Sequence, residues 1–199
     1  MNAQLLKRQG QHHAQQPFLG DLALPLARVH EFCGHARRTL AMMLAARMAG
    51  PVFWIAPGWV AERLNPDGML HFVDPARFTF LTPRRPEDLL WCMEEVLRTG
   101  AVPLVVADIP APPALTPVRR LHLAAETGAA EGTQRPLGLL LCPGTGGAQG
   151  VESRWHMAGA HRIDELGWTL TRQRARTEPP KVWRVAADGA RFQLTPHSN

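Results

Sequence analysis

Three stretches of the chain, PVFWIAP (51–57), VPLVVADIP (102–110) and PLGLLLCP (136–143), are apolar without alternation. A strand that is apolar at every position has to be covered on both faces, as in a parallel sheet sandwiched between helices. The intervening segments have the matching helical character: RRTLAMMLAARMAG (37–50), RPEDLLWCMEEVLRTG (85–100) and ALTPVRRLHLAAETG (114–128). Pro86 with Glu87 and Asp88 opens the second of these, and Arg98 with Gly100 closes it. Thr116 is the expected N-cap of the third, with Pro117 in its first turn. RVHEF (28–32) and RFTFLTP (77–83) supply further strands, and GWVAERLNPDG (58–68) reads as a short helix and turn. The alternation through Cys142 predicts an α/β sheet with helices on both faces and VPLVVADIP at its middle.

Beyond Cys142 the pattern changes. GTGGAQG (144–150) reads as a flexible loop, and SRWHMAGA, GWTLTRQRAR, KVWRVAA and RFQLT follow as strands separated by TEPP and ADG turns. They predict an antiparallel extension of the sheet. Three parts are therefore expected: a polar, loosely ordered arm over 1–24, a core over 25–160 and a basic, β-rich extension over 161–199. The glutamine- and histidine-rich start is not expected to be a signal peptide, and no run reaches the roughly 18 apolar residues of a membrane span. Cys33, Cys92 and Cys142 are widely spaced without a CxxC pair, so reduced thiols and a cytoplasmic location are expected.

The net charge is +5, and only Lys7 and Lys181 among the 22 basic residues are lysines. Such a surface suits nucleic acid or an acidic partner without choosing between them. The junction CGHARRT places a glycine between a strand and a helix, where a phosphate-binding loop belongs. Measured against GxxxxGK[ST], however, the second glycine and the lysine are missing, and Gly34 to Thr39 is two residues short. Arg37 and Arg38 are therefore read either as exposed first-turn residues or as contacts to an anion or partner. Asp108, ending an apolar strand, has the Walker B look but equally suits a turn cap before Pro110. Gly34, Arg37, Arg38, Thr39 and Asp108 thus form a degenerate nucleotide or anion site. With no Tyr, no GxSxG and serine only at 153 and 198, no nucleophilic set emerges. Nor is a designed metal site expected from His12 and His13. A second candidate surface, for nucleic acid or a partner, combines Arg154, Trp155, Arg172, Arg174 and Arg176. Alternatively, the tryptophans cover a sheet face and the arginines are solvated.

The order of these features resembles a known family. LARVHEFCGHARRTLAMMLAARMAGPVFWI resembles the RecA core around its phosphate loop, and LLWCMEEVLRTGAVPLVVADIPAPPALTP resembles its Walker B region. The closer resemblance, over about residues 24 to 184, is to ImuA, the RecA-like and SulA-related accessory family of SOS mutagenesis cassettes. It is carried by LPLARVHEFCGHARRTLA, RPEDLLWCMEEVLRTGAVPLVVAD, LTPVRRLHLAAETG and GVESRW.

The resemblance implies a RecA-like fold and a non-catalytic adaptor of translesion synthesis. Implied partners are an ImuB-type Y-family-like protein, an error-prone replicative-type polymerase and RecA, with DNA reached through the complex and association with the nucleoid when engaged. No membrane and no cofactor are expected, residual nucleotide binding staying open. Relative to RecA, the catalytic glutamate aligns near Gly58 and the phosphate-sensing glutamine near Cys142 and Pro143. The DNA-gripping loops shrink to TGAAEGTQ and GTGGAQG. Residues 1–24 are expected to pack on another RecA-like subunit. A SulA-like division inhibitor, a divergent DNA-stimulated ATPase using Arg37 or Arg38, and a DNA-binding module remain as alternatives.

Overall fold

A computed structural model describes residues 14–163, 165–189 and 191–196. The chain forms a nine-stranded sheet and a separate hairpin. In chain order the strands are β1 (Gln15–Leu19), β2 (Leu22–Pro25), β3 (Val29–Cys33), β4 (Val52–Ile55), β5 (Phe78–Leu81), β6 (Leu104–Asp108), β7 (Leu137–Cys142), β8 (Ser153–Gly159), β9 (Gly167–Ala175), β10 (Lys181–Asp188) and β11 (Arg191–Pro196). The helices are α1 (Arg37–Ala46), α2 (Pro66–Leu70), α3 (Pro86–Thr99) and α4 (Leu115–Glu131).

The sheet order is β11-β10-β9-β8-β3-β7-β6-β4-β5. The six strands from β8 to β5 are parallel, and β8 to β11 pair antiparallel. This is a mixed α/β architecture with a large, mostly parallel sheet. Strand periodicity sorts the core into two layers. Leu104, Val106, Leu137, Leu139 and Leu141 face α1 and the β1–β2 hairpin, while Val105, Ala107, Leu140 and Cys142 face α3 and α4. β6 lies inside the sheet as expected, but β3 holds its middle.

Among the described residues, the antiparallel part is covered on one side only. Trp168, Leu170, Trp183 and Val185 join the α1 layer, and half-exposed Thr169 and Thr171 occupy the other face of β9. The sheet curls round α1 far enough that Phe192 of β11 stacks on Phe72, just past α2, with ring centroids 5.7 Å apart.

Several expectations are corrected. Residues 15–25, all but the last of them in the expected arm, form the β1–β2 hairpin, which buries Phe18, Leu19 and Leu24 in the core. Phe18 meets Trp155 edge-on at 5.2 Å, so burial rather than polarity decides that segment. Residues 1–13, with His12 and His13, lie outside the described residues. β8 pairs in parallel with β3, so the antiparallel extension starts one strand later than Ser153. Residues 58–65 contain no helix; the short helix begins at Pro66, capped by Asn65. α4 starts at Leu115 with Ala114 as N-cap and no side-chain cap. It also runs through TGAAE rather than stopping at Gly128, because Gly128 lies backbone to backbone against the end of α3. α3 is bounded as read, from Pro86 to a left-handed Gly100.

Candidate functional site

The β3–α1 junction and the end of β6 bring Gly34, Arg37, Arg38 and Asp108 together at the carboxyl edge of the sheet. That edge is where open α/β sheets usually hold ligands. Arg38 Nε donates to Asp108 Oδ2 at 2.5 Å, and Arg37 Nη2 to Oδ1 at 3.5 Å. Arg38 Nη1 also reaches Glu62 Oε2 at 3.2 Å. The Asp108 carboxylate is only 6% exposed, against 19% for the side chain of Arg37 and 30% for that of Arg38. Thr39, in the same turn, is half-buried and takes no part.

Two arginines thus balance two carboxylates, and the cluster carries no net charge. α1 has no acidic residue in its first turn and no side-chain cap. A helix N-terminus favours a negative charge, and Asp108 supplies one from across the sheet. An incoming phosphate would have to displace Asp108 and Glu62 from the arginines, and a divalent cation would have to displace both guanidiniums from Asp108.

The loop backbone is engaged as well. Gly34 N–H donates to Gly144 O at 2.8 Å and Ala36 N–H to Met157 O at 3.1 Å. In a phosphate-binding loop such amides point at the ligand. Gly34 has φ +90°, and a Cβ there would sit 2.3 Å from Met157 O. The glycine is required by the approach of β8. Gly58, where the resemblance implies a glutamate, hydrogen-bonds Pro83 O, and a Cβ would come within 3.0 Å of that oxygen. Cys142 is fully buried, and Pro143 only skirts the cluster.

Beside the clamp lies a pocket of about 250 Å³ lined by Trp54, Ala56, Leu64, Phe80 and Leu81, with Arg38, Glu62 and Asp108 at its polar end. A smaller one of about 140 Å³, lined by Pro57, Val60 and Pro110, adjoins Arg37.

The second predicted surface does not hold together. Trp155 is 2% exposed and Arg172 5%. The Arg172 guanidinium lies 5.6 Å from the Trp155 ring and 5.2 Å from that of Trp183, donates to Pro179 O and pairs with Glu178. These two side chains therefore belong to the interior and cannot stack on bases. Arg154 pairs inward with Glu31. Of the five, only Arg174 and Arg176 are exposed.

Two buried polar groups escaped the sequence reading. Glu31, fully buried on β3, accepts from Gly147 N–H at 2.7 Å, from Ala148 N–H at 3.1 Å and from Arg154 Nε. It staples the 144–150 segment, which is therefore not the flexible loop expected. A lone carboxylate between strand residues was the available signal. His30 Nε2 donates to Pro25 O at 2.9 Å, which leaves Nδ1 to accept from Ser153 Oγ at 2.7 Å; that oxygen in turn accepts from Trp155 Nε1 at 2.8 Å. Burial, outweighing the Pro25 hydrogen bond, lowers the His30 pKa to about 4. Burial, with Glu31 nearby, pushes the Cys33 thiol up to about 12 and raises Cys142 further. Both thiols therefore stay protonated and are poor nucleophiles.

Among the described residues, no cluster of three His, Cys, Asp or Glu side chains could hold a metal ion, and no helix is long and apolar enough to cross a membrane. No family model matches the chain, and no curated protein matches it either.

Proposed function

We propose that this chain is a non-catalytic adaptor of the ImuA type, with a RecA-like core, acting in error-prone translesion synthesis during the SOS response. Its partners in this reading are an ImuB-type Y-family-like protein, an error-prone replicative-type polymerase and RecA. The partner class rests on the resemblance of the quoted segments. The non-catalytic half rests on one observation, the Arg37–Asp108–Arg38 clamp, in which the groups that could hold a nucleotide and its metal hold each other.

Phosphoryl transfer requires a phosphate clamp, a metal and a group that positions the nucleophile. Here the clamp is self-neutralised, and a glycine packed close to Pro83 O stands where the resemblance implies the glutamate. Co-purification with the three partners, alongside titration with Mg·ATP and a phosphate-release assay with and without single-stranded DNA, tests the reading. Capture of at least one partner without hydrolysis is expected. Hydrolysis that disappears in Arg38→Ala, or failure to capture any partner, sinks it.

A further inference from the structure

On the other side of the sheet from α1, a groove of about 700 Å³ runs between α4 and the ends of β8 and β9. Its charged lining is Arg28, Arg119, Arg174 and Arg176 against Glu126 and Glu152. Arg28 is engaged by Glu126, and Glu152 sits 3.7 Å from Arg28 Nε and 3.4 Å from Arg176 Nε. Arg119 and Arg174 have no ion pair among the described residues, and both are exposed. One Glu152 oxygen is buried without a hydrogen bond.

The sequence aims Arg174 here by a specific device. Trp155 faces Arg172 across the ladder, but Arg154 faces Arg174, so β9 has one extra residue, Gln173, at this point. A bulge of this kind reverses the side-chain alternation beyond it. Arg172 accordingly packs on the tryptophans of the α1 layer, while Arg174 shares the face of Arg154 and Glu31, towards α4. Across the groove, Leu115, Arg119 and Leu123 follow one another at helical i, i+4, i+8 spacing, and Leu123 is 62% exposed.

We infer that this groove is the docking site for an acidic, leucine-bearing segment of a partner protein, whose carboxylates pair with Arg119 and Arg174 while its apolar side chains cover Leu123 and Leu115. The inference rests on the adaptor reading above and names the chemistry of the partner it engages. Bidentate guanidinium–carboxylate pairing gives such a contact both strength and register. The lining favours a peptide over nucleic acid. No Phe or Trp lines it for bases to stack on, the His122 ring is held between Val29 N–H and Gly150 O, and its two carboxylates would repel a continuous phosphate backbone. Glu126, whose side chain is half-exposed, can accept an N–H group from a peptide.

The test uses the whole chain and a labelled peptide of glutamates with a leucine at every fourth position, followed by fluorescence anisotropy. Arg119→Glu combined with Arg174→Glu is expected to weaken binding by at least about tenfold, as the loss of a complementary charge pair at an interface does. Leu123→Ser should weaken it severalfold, and all variants should melt like the parent because the three side chains are exposed. Peptide binding unaffected by the double reversal overturns the inference. So does the absence of peptide binding, and so does tight binding of oligothymidylate that the reversal abolishes. Partner capture by the unmodified chain is scored separately. If capture survives while the peptide fails, the groove is wrong and the adaptor reading stands; if the peptide binds while no partner is captured, the reverse holds.

Discussion

Replacing Asp108 with asparagine keeps the shape of the side chain and removes its charge. Arg37 and Arg38 then face each other with only Glu62, a side chain 76% exposed, to offset them. Removing one partner of a fully buried ion pair costs about 3–5 kcal/mol. Asp108 is buried, but the arginines can partly turn to water, so about 2–3 kcal/mol is expected. For a chain of this size that lowers Tm by about 5–10 °C. The cluster also changes from neutral to positive at the N-terminus of α1, so pyrophosphate affinity should rise, by about tenfold for a stabilisation near 1.4 kcal/mol. Thermal melts with and without pyrophosphate, together with calorimetric titration of ATP, read both effects. In a working ATPase, loss of the strand-end aspartate weakens the metal–nucleotide complex, which is the opposite sign. An unchanged melting point, or weaker binding of nucleotide in Asp108→Asn, would refute the self-neutralised clamp.

Other consequences follow from buried groups. His30 is neutral in the fold with a pKa near 4, against about 6.5 when unfolded. Its contribution is therefore complete above about pH 6.5 and is lost as the pH falls towards 4, by up to about 3 kcal/mol. His122 is shifted in the same direction by burial, so the measurement is the difference between parent and His30→Gln in urea unfolding. That difference must shrink as the pH falls; a constant difference from neutral pH to about pH 4.5 removes His30 as the cause. Glu31→Gln should destabilise by about 3 kcal/mol and speed hydrogen exchange at Gly147 and Ala148, because Arg154 loses its buried partner. Exchange rates like the parent's would show that the carboxylate does not hold that segment. Arg172→Leu should cost about 1–3 kcal/mol through lost contacts with Trp155 and Trp183 and shift tryptophan emission, with no change in peptide binding at the groove.

What could be read from the chain followed from local physics. Continuous apolar runs announced β4, β6 and β7, and the Pro–acid start and glycine stop announced α3. The failures have equally local causes. Gly128 looked like a helix stop on propensity, but its value lies in letting α4 approach α3, which is a tertiary fact. The polar letters of Gln15 and Gln16 hid a hairpin that buries Phe18 and Leu24. The alternation of Trp168, Leu170 and Arg172 along β9 already placed the arginine on the apolar face, so its burial was legible where the Trp–Arg mixture suggested a surface. The clamp is named residue by residue in the sequence, yet its members read there as exposed first-turn residues, a turn cap or contacts to a third party. That Arg38 and Asp108, 70 positions apart, satisfy each other depends on how α1 leaves β3, which no local pattern encodes.

The clamp and the groove should respond to substitution independently. The clamp closes one edge of the sheet with charges that cancel, while the α4 groove keeps two arginines without ion pairs among the described residues. The two clusters share no residue or ion-pair partner, so substitutions in them should act independently. Separated sites usually add within about 0.5 kcal/mol. Asp108→Asn should therefore change melting and anion affinity equally in the parent and in the Arg119→Glu, Arg174→Glu background. The double reversal should in turn lower peptide affinity equally whether or not Asp108 is intact. A double-mutant cycle on both readouts decides it. Coupling well beyond that margin would mean that the old ligand edge and the groove are one switchable unit, and the picture of a closed site beside an independent docking surface would have to be given up.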